Sequence, residues 1–330
     1  MISKLNNLSR RALIIGASVL SLSSAASFAQ AETYPTKPIR VIVPLAAAST
    51  VDIIARKLGE ELPGKLGQQL VIDNRPGAGG VIGTAEMVRA DKDGYTIGMI
   101  SSNHVINPGI IKTIPFDTLK DITPITVIGT VPIVLVTHPS VEAKTAQDLI
   151  ALAKAKPGEL DYGSAGTGSA IHLAGVLFTN EAGVNMRHVP YKGTGPLTND
   201  LVAGHVKVGF LSVTAALPQI QSGTLKALAV STPTRVESLP DVPTLAEAGL
   251  KNYSFDAWIA MIGPAGLPKP IVDRLYSETK AALETQKVKE YFATQGVTII
   301  GSDPATAEKF FQAELEKHQT LVKASGAKPE

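Results

Sequence analysis

Few residues in this sequence could do chemistry, and they are scattered along the chain. An acid–base pair would have to come from three candidates, Asp52, His172 and Asp256. Asp52 also stands where it can cap a helix. Neither a G-x-S-x-G nucleophile elbow nor an H-E-x-x-H zinc motif occurs. The six histidines make no i, i+4 ligand pair; they are His104, His138, His172, His188, His205 and His318. We therefore expect a binding protein that uses no metal or cofactor, rather than an enzyme.

Two nucleotide motifs fail on inspection, and cysteine is absent. Without cysteine the chain has no disulfide, no cysteine-ligated zinc, no iron–sulfur cluster and no thiol nucleophile. The interval from Gly163 to Gly168 has the spacing of a phosphate-binding loop, but Ser169 stands where lysine is required. Residues 74–83 resemble a dinucleotide fingerprint whose third glycine comes one residue late. These absences argue against a nucleotide triphosphatase and against a dinucleotide enzyme.

A plain loop joins the first predicted strand to the first predicted helix. It runs through Ala46-Ala47-Ala48 to Ser49 and Thr50. The first turn of a helix presents unpaired N–H groups and the positive end of the helix dipole. Small side chains let a carboxylate approach these groups, and the two hydroxyls add donors. The alternative is that Ser49 caps the helix and Asp52 completes a capping box, with no ligand bound.

A second loop of the same kind follows Leu160. It contains three glycines and three hydroxyl residues: Gly163, Gly166, Gly168, Ser164, Thr167 and Ser169. Glycine permits close backbone approach and positive φ. Two such loops without a catalytic base suggest two jaws around one small anion. His172, one turn into the following helix, either touches that ligand or satisfies a local hydrogen bond.

Strand-like and helix-like segments alternate after Glu32. This pattern predicts an α/β fold with mostly parallel sheets. Helices are predicted over 50–62 and 145–156, and Asp303-Pro304 opens the last one. The predicted strands are Ile39–Pro44, Leu70–Asp73, Tyr95–Ile100, Ile133–Thr137, Leu160–Ser164, Arg187–Tyr191, Val206–Leu211, Leu225–Ser231, Phe255–Ile262 and Val297–Ile300.

The N-terminal segment has the order of a secretory signal peptide. Three basic residues precede an apolar stretch and a small-residue region, so we expect cleavage after Ala29 or Ala31 and a periplasmic protein. The Arg10-Arg11 pair leaves a twin-arginine route open beside ordinary secretion. Removing three basic residues and no acidic one lowers the formal net charge from +2 to −1. The mature chain carries no basic tract for nucleic acid.

Four long blocks resemble the Bug or TctC family of extracytoplasmic solute-binding proteins. They are DNRPGAGGVIGTAEMVRADKDGYT from Asp73, AKTAQDLIALAKAKPGELDYGSAGTGSAIHLAG from Ala143, HVPYKGTGP from His188 and LPDVPTLAEAGL from Leu239. The resemblance implies a monomeric, two-domain, type II periplasmic-binding fold with its ligand in an interdomain cleft. It places domain 1 at 34–138 plus 255–330 and domain 2 at 139–254.

The implied ligand is a small carboxylate, either a di- or tricarboxylate or an aromatic acid. The implied partner is the membrane permease of a tripartite tricarboxylate transporter. A periplasmic co-receptor that reports ligand occupancy to a sensor kinase stays open as an alternative, and a secreted hydrolase or isomerase is the rival class.

The resemblance also implies the ligand-binding residues. They fall in the loops after the first, third, fifth and seventh strands, with two more near the mouth or hinge. They are Leu45, Ala48, Ser49, Thr50, Asp52, Ser101, Asn103, Ser164, Ala165, Gly166, Thr167, Ser169, His172, Tyr191, Ser212 and Asp256.

One departure from the family pattern concerns the first loop. The family usually has a Pro-Gly-Gly type of turn where this chain has Ala46-Ala47-Ala48. Alanine disfavours positive φ and adds a methyl group at each position. Either the backbone of the loop differs, or the methyl groups line the pocket and favour an apolar or aromatic acid. We favour the second interpretation.

Overall fold

The computed structural model describes residues 34–324 of the chain. The predicted signal peptide, Met1–Ala31, lies outside the described residues. From Lys37 onward the described chain clusters as one compact unit.

Ten strands of the described residues join in one curled sheet along the path β2-β1-β3-β9-β4-β7-β5-β6, and β8 and β10 both pair with β4. Each predicted strand is present within a few residues of its predicted ends, except that β4 begins much earlier. The strands are β1 (Ile39–Val43), β2 (Leu70–Asn74), β3 (Thr96–Ser101), β4 (Ile122–Thr137), β5 (Asp161–Ser164), β6 (Arg187–Pro190), β7 (Val208–Ser212), β8 (Lys226–Val230), β9 (Asp256–Pro264) and β10 (Thr298–Ile299).

The helices follow the strands closely, so several begin only a few residues beyond a strand end. They are α1 (Thr50–Glu61), α2 (Pro63–Leu66), α3 (Val81–Val88), α4 (Asn103–Ile106), α5 (Ala146–Ala155), α6 (Ala170–Ala182), α7 (Thr194–Ala203), α8 (Val213–Gln221), α9 (Lys269–Leu283), α10 (Gln286–Thr294) and α11 (Pro304–Ala324). Short 3₁₀ turns occupy Ala78–Gly80 and Asn107–Gly109. The helix predicted over 145–156 is confirmed as α5, and Thr145 and Asp148 form a capping box at its start.

The α/β prediction is confirmed, but the pairing is mixed rather than mostly parallel. Strands β1, β2 and β3 are parallel, as are β5, β6 and β7. Every pairing made by β4 or β9 is antiparallel. The reason is connectivity. Strand β4 carries the chain from one half of the sheet to the other and β9 brings it back, so the two must run in opposite directions.

Two buried clusters hold the helices against the two halves of the sheet. In one half, Ile42 of β1 and Ile100 of β3 pack with Trp258 of β9 and Phe311 of α11. In the other half, Tyr162 of β5 packs in the larger cluster with β7, β8 and α6. Burying such side chains contributes about 1.5–3 kcal/mol each. The packing fixes the strand ends from which the two loops singled out in the sequence leave.

Gly175 of α6 tests how closely that helix must approach the sheet. A Cβ atom there would overlap the Tyr162 ring and lie 3.2 Å from Phe210. We expect Gly175→Ala to lower the free energy of unfolding by about 1–3 kcal/mol, because overpacking outweighs the better helix propensity of alanine. Urea unfolding would measure it.

Gly195 of α7 is the matched control, since an added Cβ there would have no neighbour within 4 Å. Gly195→Ala should leave the free energy of unfolding unchanged or raise it by up to about 1 kcal/mol. Equal effects of the two substitutions would contradict the close approach of α6 to β5.

Candidate functional site

The first loop is held by hydrogen bonds at the start of α1. Ser49 is the N-cap, and its hydroxyl accepts the N–H of Asp52 at 3.3 Å. The Asp52 carboxylate accepts the N–H of Ala48 at 2.9 Å instead of the N–H of Ser49. Ser49 therefore caps the helix as the sequence suggests, while Asp52 reaches one residue further back than a capping box requires.

Ala48 adopts a left-handed backbone conformation with φ of 62°. It lies in a turn closed by the N–H of Ser49, which donates to the Ala46 carbonyl at 3.2 Å. Such a position normally selects glycine, because a Cβ there costs about 1–2 kcal/mol. Ala48 thus adopts a conformation that favours glycine, and all three alanines of the loop are exposed.

The second loop repeats this arrangement. Gly168 is left-handed with φ of 75°, and its N–H donates to His172 Nδ1 at 3.0 Å. Ser169 is the N-cap of α6, and its hydroxyl accepts the N–H of His172 at 3.2 Å. In both loops a left-handed residue precedes a serine cap. In both, a side chain four residues after the left-handed residue accepts its N–H.

His172 is stacked on His188, with ring centroids 3.9 Å apart. Burial lowers the pKa of both imidazoles to about 4, and the neighbouring His188 lowers that of His172 further. The rings are therefore neutral near pH 7, and the Nδ1 of His172 is free to accept the loop N–H. The sequence left two interpretations of His172, a ligand contact or a local hydrogen bond. The structure shows the local hydrogen bond, which the Gly168 N–H donates.

His188 was not among the predicted site residues, although it lies in one of the family-like blocks. Its Nε2 atom is 2.6 Å from the Ser164 hydroxyl. That hydroxyl also donates to the Gly166 carbonyl and accepts the Gly166 N–H, each at 3.2 Å. Sequence spacing gave no sign of this contact, because the two residues meet only through the pairing of β5 with β6.

Two contacts bring the loops of the two sheet halves together. The hydroxyl of Thr50, the first residue of α1, lies 2.9 Å from the hydroxyl of Ser212, the N-cap of α8. The N–H of Ala170, the first residue of α6, donates to Asn103 Oδ1 at 3.1 Å. Leu45 lines a small cavity of about 10 Å³ together with Ser101 and Asn103, which is room for about one water molecule.

Three of the remaining predicted residues lie in or beside the second loop. Thr167 is exposed at the tip of the second loop, and Ala165 packs partly against the core. The N–H of Tyr191 donates to the Ser164 carbonyl at 3.0 Å, so Tyr191 adjoins the second loop. Its hydroxyl donates to Asp200, and burial followed by that contact raises its pKa to about 12.

Asp256 lies apart from the loops, at the start of β9. Its Oδ1 atom is buried without a hydrogen-bond partner among the described residues. Burial raises its pKa to about 6, and its charged neighbours are Lys317 and Glu314 of α11. The three acid–base candidates thus have separate surroundings: Asp52 is hydrogen-bonded at α1, His172 is stacked in the second loop, and Asp256 faces α11.

The converging loops contain no lysine or arginine. Lys192 is exposed beyond β6, and Arg56 on α1 is bonded to Asp52 and Asn74. An anion in this site would therefore meet backbone N–H groups, hydroxyls and three helix N-termini. A separate groove of about 570 Å³, lined by residues such as Arg235, Ser238 and Lys289, contains none of the predicted site residues.

Comparison with known proteins gives the class of this chain. Residues 54–327 match the family described as tripartite tricarboxylate transporter family receptor. The chain is 36% identical to protein BugT of Bordetella pertussis (strain Tohama I) over 324 residues, covering 98% of this chain and 99% of BugT.

Solved structures agree with the family match. The periplasmic binding protein BugD superposes with a TM-score of 0.85 at 32% identity, over 90% of this chain and all of BugD. A Rhodopseudomonas palustris protein, Rpa4515 with adipate, gives 0.87 at 32% identity over 90% of this chain and all of its own. MatC of the same species, with bound malate, gives 0.82 at 27% identity over 88% of this chain and all of MatC.

The chain belongs to the Bug/TctC family of solute-binding proteins and has the fold of a periplasmic binding protein. Within residues 34–324, no helix has both the length and the apolar character needed to cross a membrane.

The stacked histidines predict a pH dependence of stability. Histidine in an unfolded chain has a pKa of about 6.5, so between about pH 6.5 and pH 4 the unfolded state binds more protons than the folded state. The free energy of unfolding should therefore fall as the pH decreases through this window, by at most about 1.4 kcal/mol per pH unit for each histidine. Urea unfolding at several pH values measures this slope.

A substitution isolates the contribution of the pair from those of other groups. His104 acts in the same direction because burial lowers its pKa to about 4, whereas Asp256 acts in the opposite direction. His188→Gln should flatten the slope relative to the wild type. An unchanged slope in His188→Gln would contradict a neutral buried pair.

The left-handed conformation of Ala48 leads us to expect that glycine at this position stabilises the protein. Ala48→Gly removes the cost of a left-handed alanine but increases the entropy of the unfolded chain, so we expect a net gain of about 0.5–1 kcal/mol. Ala47→Gly is the matched control in the same turn, since no positive φ occurs there, and it should destabilise by a similar amount. The comparison fails if both variants shift the urea midpoint in the same direction.

Proposed function

We propose that this protein is a periplasmic solute-binding protein that captures a small dicarboxylate between two lobes and delivers it to a tripartite tricarboxylate-type transporter. The lobes correspond to residues 34–138 plus 255–330 and residues 139–254. The observation that carries the proposal is a pair of contacts: Thr50 joins the start of α1 to Ser212 at the start of α8, and Asn103 joins the loop after β3 to Ala170 at the start of α6.

Backbone capture explains how such a site attracts an anion without a cationic side chain. Each charge-assisted hydrogen bond to a carboxylate contributes about 1.5–3 kcal/mol, so a few N–H and hydroxyl donors from the two loops would be enough to hold a small acid. The proposed contacts are those of the loops at 45–52, 101–103 and 164–169, with Ser212 and Tyr191 beside them. Asp256, which faces α11, is proposed as a hinge residue.

A dicarboxylate is favoured because the site has donors on both of its sides. One carboxylate can meet the start of α1 and the other the start of α6, since helix N-termini attract negative charge. Related structures hold adipate and malate, two acids of this kind. The exposed methyl groups of Ala46–Ala48 favour a ligand with an apolar middle, so adipate-like acids are our first choice.

The protein that receives the ligand-loaded form decides between a role in transport and a role in signalling. A permease and a sensor kinase would both meet a ligand-loaded protein, and the family match to a transporter receptor favours the permease. Catalysis is disfavoured, because the three acid–base candidates do not meet and because relatives such as BugD are binding proteins. Incubation with the tightest ligand and a search for product tests the enzyme alternative.

A screen of carboxylates tests the proposed ligand class. A ligand that binds only the folded state raises the melting temperature by mass action, so adipate, malate and aromatic dicarboxylates should be compared at equal concentration. We expect an aliphatic dicarboxylate to give the largest increase. No increase with any organic acid would contradict the proposal.

Variants then test capture by the loops. Thr50→Val and Ser212→Ala each remove a hydroxyl from the central contact and should raise the Kd about 10-fold, because a charge-assisted hydrogen bond is lost. Lys192→Ala should change it less than about 2-fold. Thr320→Val, on the exposed face of α11, is the matched control. Calorimetry that shows lost binding in Lys192→Ala and normal binding in the loop variants would contradict backbone capture.

A further inference from the structure

We infer that Arg56 and Asn74 are positioning residues that hold both ends of the first ligand loop and cancel the charge of the carboxylate behind it. The inference deepens the proposed function and rests on it. Neither residue was predicted as part of the site, and neither needs to touch the ligand.

The N-terminal end of the loop is held through the Leu45 carbonyl. Asn74, the last residue of β2, donates its Nδ2 hydrogen to that carbonyl at 3.0 Å. Its Oδ1 atom accepts from Arg56 Nη2 at 2.9 Å. Because a guanidinium only donates, this pair of contacts fixes which way the Asn74 amide faces.

The C-terminal end of the loop is held through the Ala48 N–H. Arg56 Nε donates to Asp52 Oδ2 at 3.0 Å, and the same oxygen accepts the Ala48 N–H at 2.9 Å. A continuous path of hydrogen bonds therefore runs from Leu45 through the side chains of Asn74, Arg56 and Asp52 to Ala48. We call these three side chains the clamp.

The clamp is needed because the alanine side chains of the loop can make no hydrogen bonds of their own. Ala46, Ala47 and Ala48 are exposed and have no polar side-chain atoms. Ala48 is also left-handed, which an alanine does not adopt without support from its surroundings. Asp52, whose side chain is only 4% exposed, supplies that support from beneath.

The negative charge of Asp52 is a second reason why Arg56 is required. The equivalent acceptor in the other loop is His172, a neutral ring, whereas Asp52 is an anion four residues from Ala48. An uncompensated carboxylate would repel an acidic ligand at the start of α1. Arg56 forms an ion pair with Asp52 at 2.9 Å, so the helix N-terminus keeps its attraction for an anion.

Amide hydrogen exchange tests the clamp without any ligand. In Arg56→Met and in Asn74→Asp, which keeps the contact with Arg56 but removes the donor to Leu45, the hydrogen-bonded amides of Ala48 and Ser49 should exchange at least about 10-fold faster. Arg75→Met is the matched control, because Arg75 is a similarly exposed arginine that pairs with Asp73. Unchanged exchange in both clamp variants would overturn the inference, whether or not any acid binds.

Binding of adipate and malate tests the effect on the site. We expect both clamp variants to raise the Kd about 10-fold while the melting temperature of the ligand-free protein stays within about 2 °C of Arg75→Met. Because both changes break one path, the double variant should bind about as weakly as the weaker single variant. Independent losses that multiply in the double variant would overturn the inference. If the wild type binds no acid, the proposed function fails, while the exchange result still decides the clamp.

Conservative replacement separates a positioning role from general damage. Asp52→Asn keeps an acceptor for the Ala48 N–H but removes the charge. Added to Arg56→Met, it should restore part of the affinity that Arg56→Met loses. A further loss instead would overturn the charge-cancelling role of Arg56.

Discussion

The loops at the proposed binding site are made of small residues, so their shape must be imposed by groups that lie behind them. Each loop places a left-handed residue before a serine N-cap, and in each the side chain four residues after it accepts that residue's N–H. In one loop the acceptor is Asp52 and in the other it is His172. The remaining N–H groups at the helix starts then have a fixed direction, which a binding site built from backbone requires.

Asp52 and His172 both accept the N–H of a left-handed residue, but each requires a different environment to do so. His172 accepts only as a neutral ring, and burial against His188 keeps it neutral near pH 7. Asp52 accepts as an anion; burial raises its pKa, but the hydrogen bonds of Arg56 and Ala48 outweigh that effect and leave the pKa below the usual value. The histidine pair therefore makes the second loop sensitive to acid, while the arginine makes the first loop sensitive to loss of one surface side chain.

Much of the fold was predictable from sequence because its strands are apolar runs and its helices begin at recognisable caps. The early part of β4 was not predictable. Pro124, Gly129 and Pro132 interrupt it, and such residues usually end a strand. The register of β4 against β9 shifts twice, once beside Pro124 and once beside Gly129, and Pro132 is the last residue of β4 that pairs with β9. The antiparallel centre of the sheet follows from the same long strand, so it was missed for the same reason.

The site was predictable to the extent that its residues lie on the chain next to the strand ends. The hydroxyls of Thr50 and Ser212 were named from their loops, and the structure places them in contact. His188, Arg56 and Asn74 were missed because their roles depend on partners in other elements. Arg56 reads as an ordinary exposed helix residue until Asn74 is seen on the neighbouring strand.

The left-handed alanine is the feature of the first loop that bears most directly on the proposed ligand class. Under the proposed function, glycine at position 48 would relieve about 1–2 kcal/mol of backbone cost, yet this chain has alanine there and a clamp of three side chains to hold it. The second loop has glycine at the equivalent position, where a Cβ atom would collide with Ile110. In the first loop Ala48 is exposed, two residues before the start of α1. Its apolar surface is therefore available to the carbon chain of an acid whose carboxylate lies on the N–H groups, which favours longer aliphatic dicarboxylates over compact hydroxylated ones.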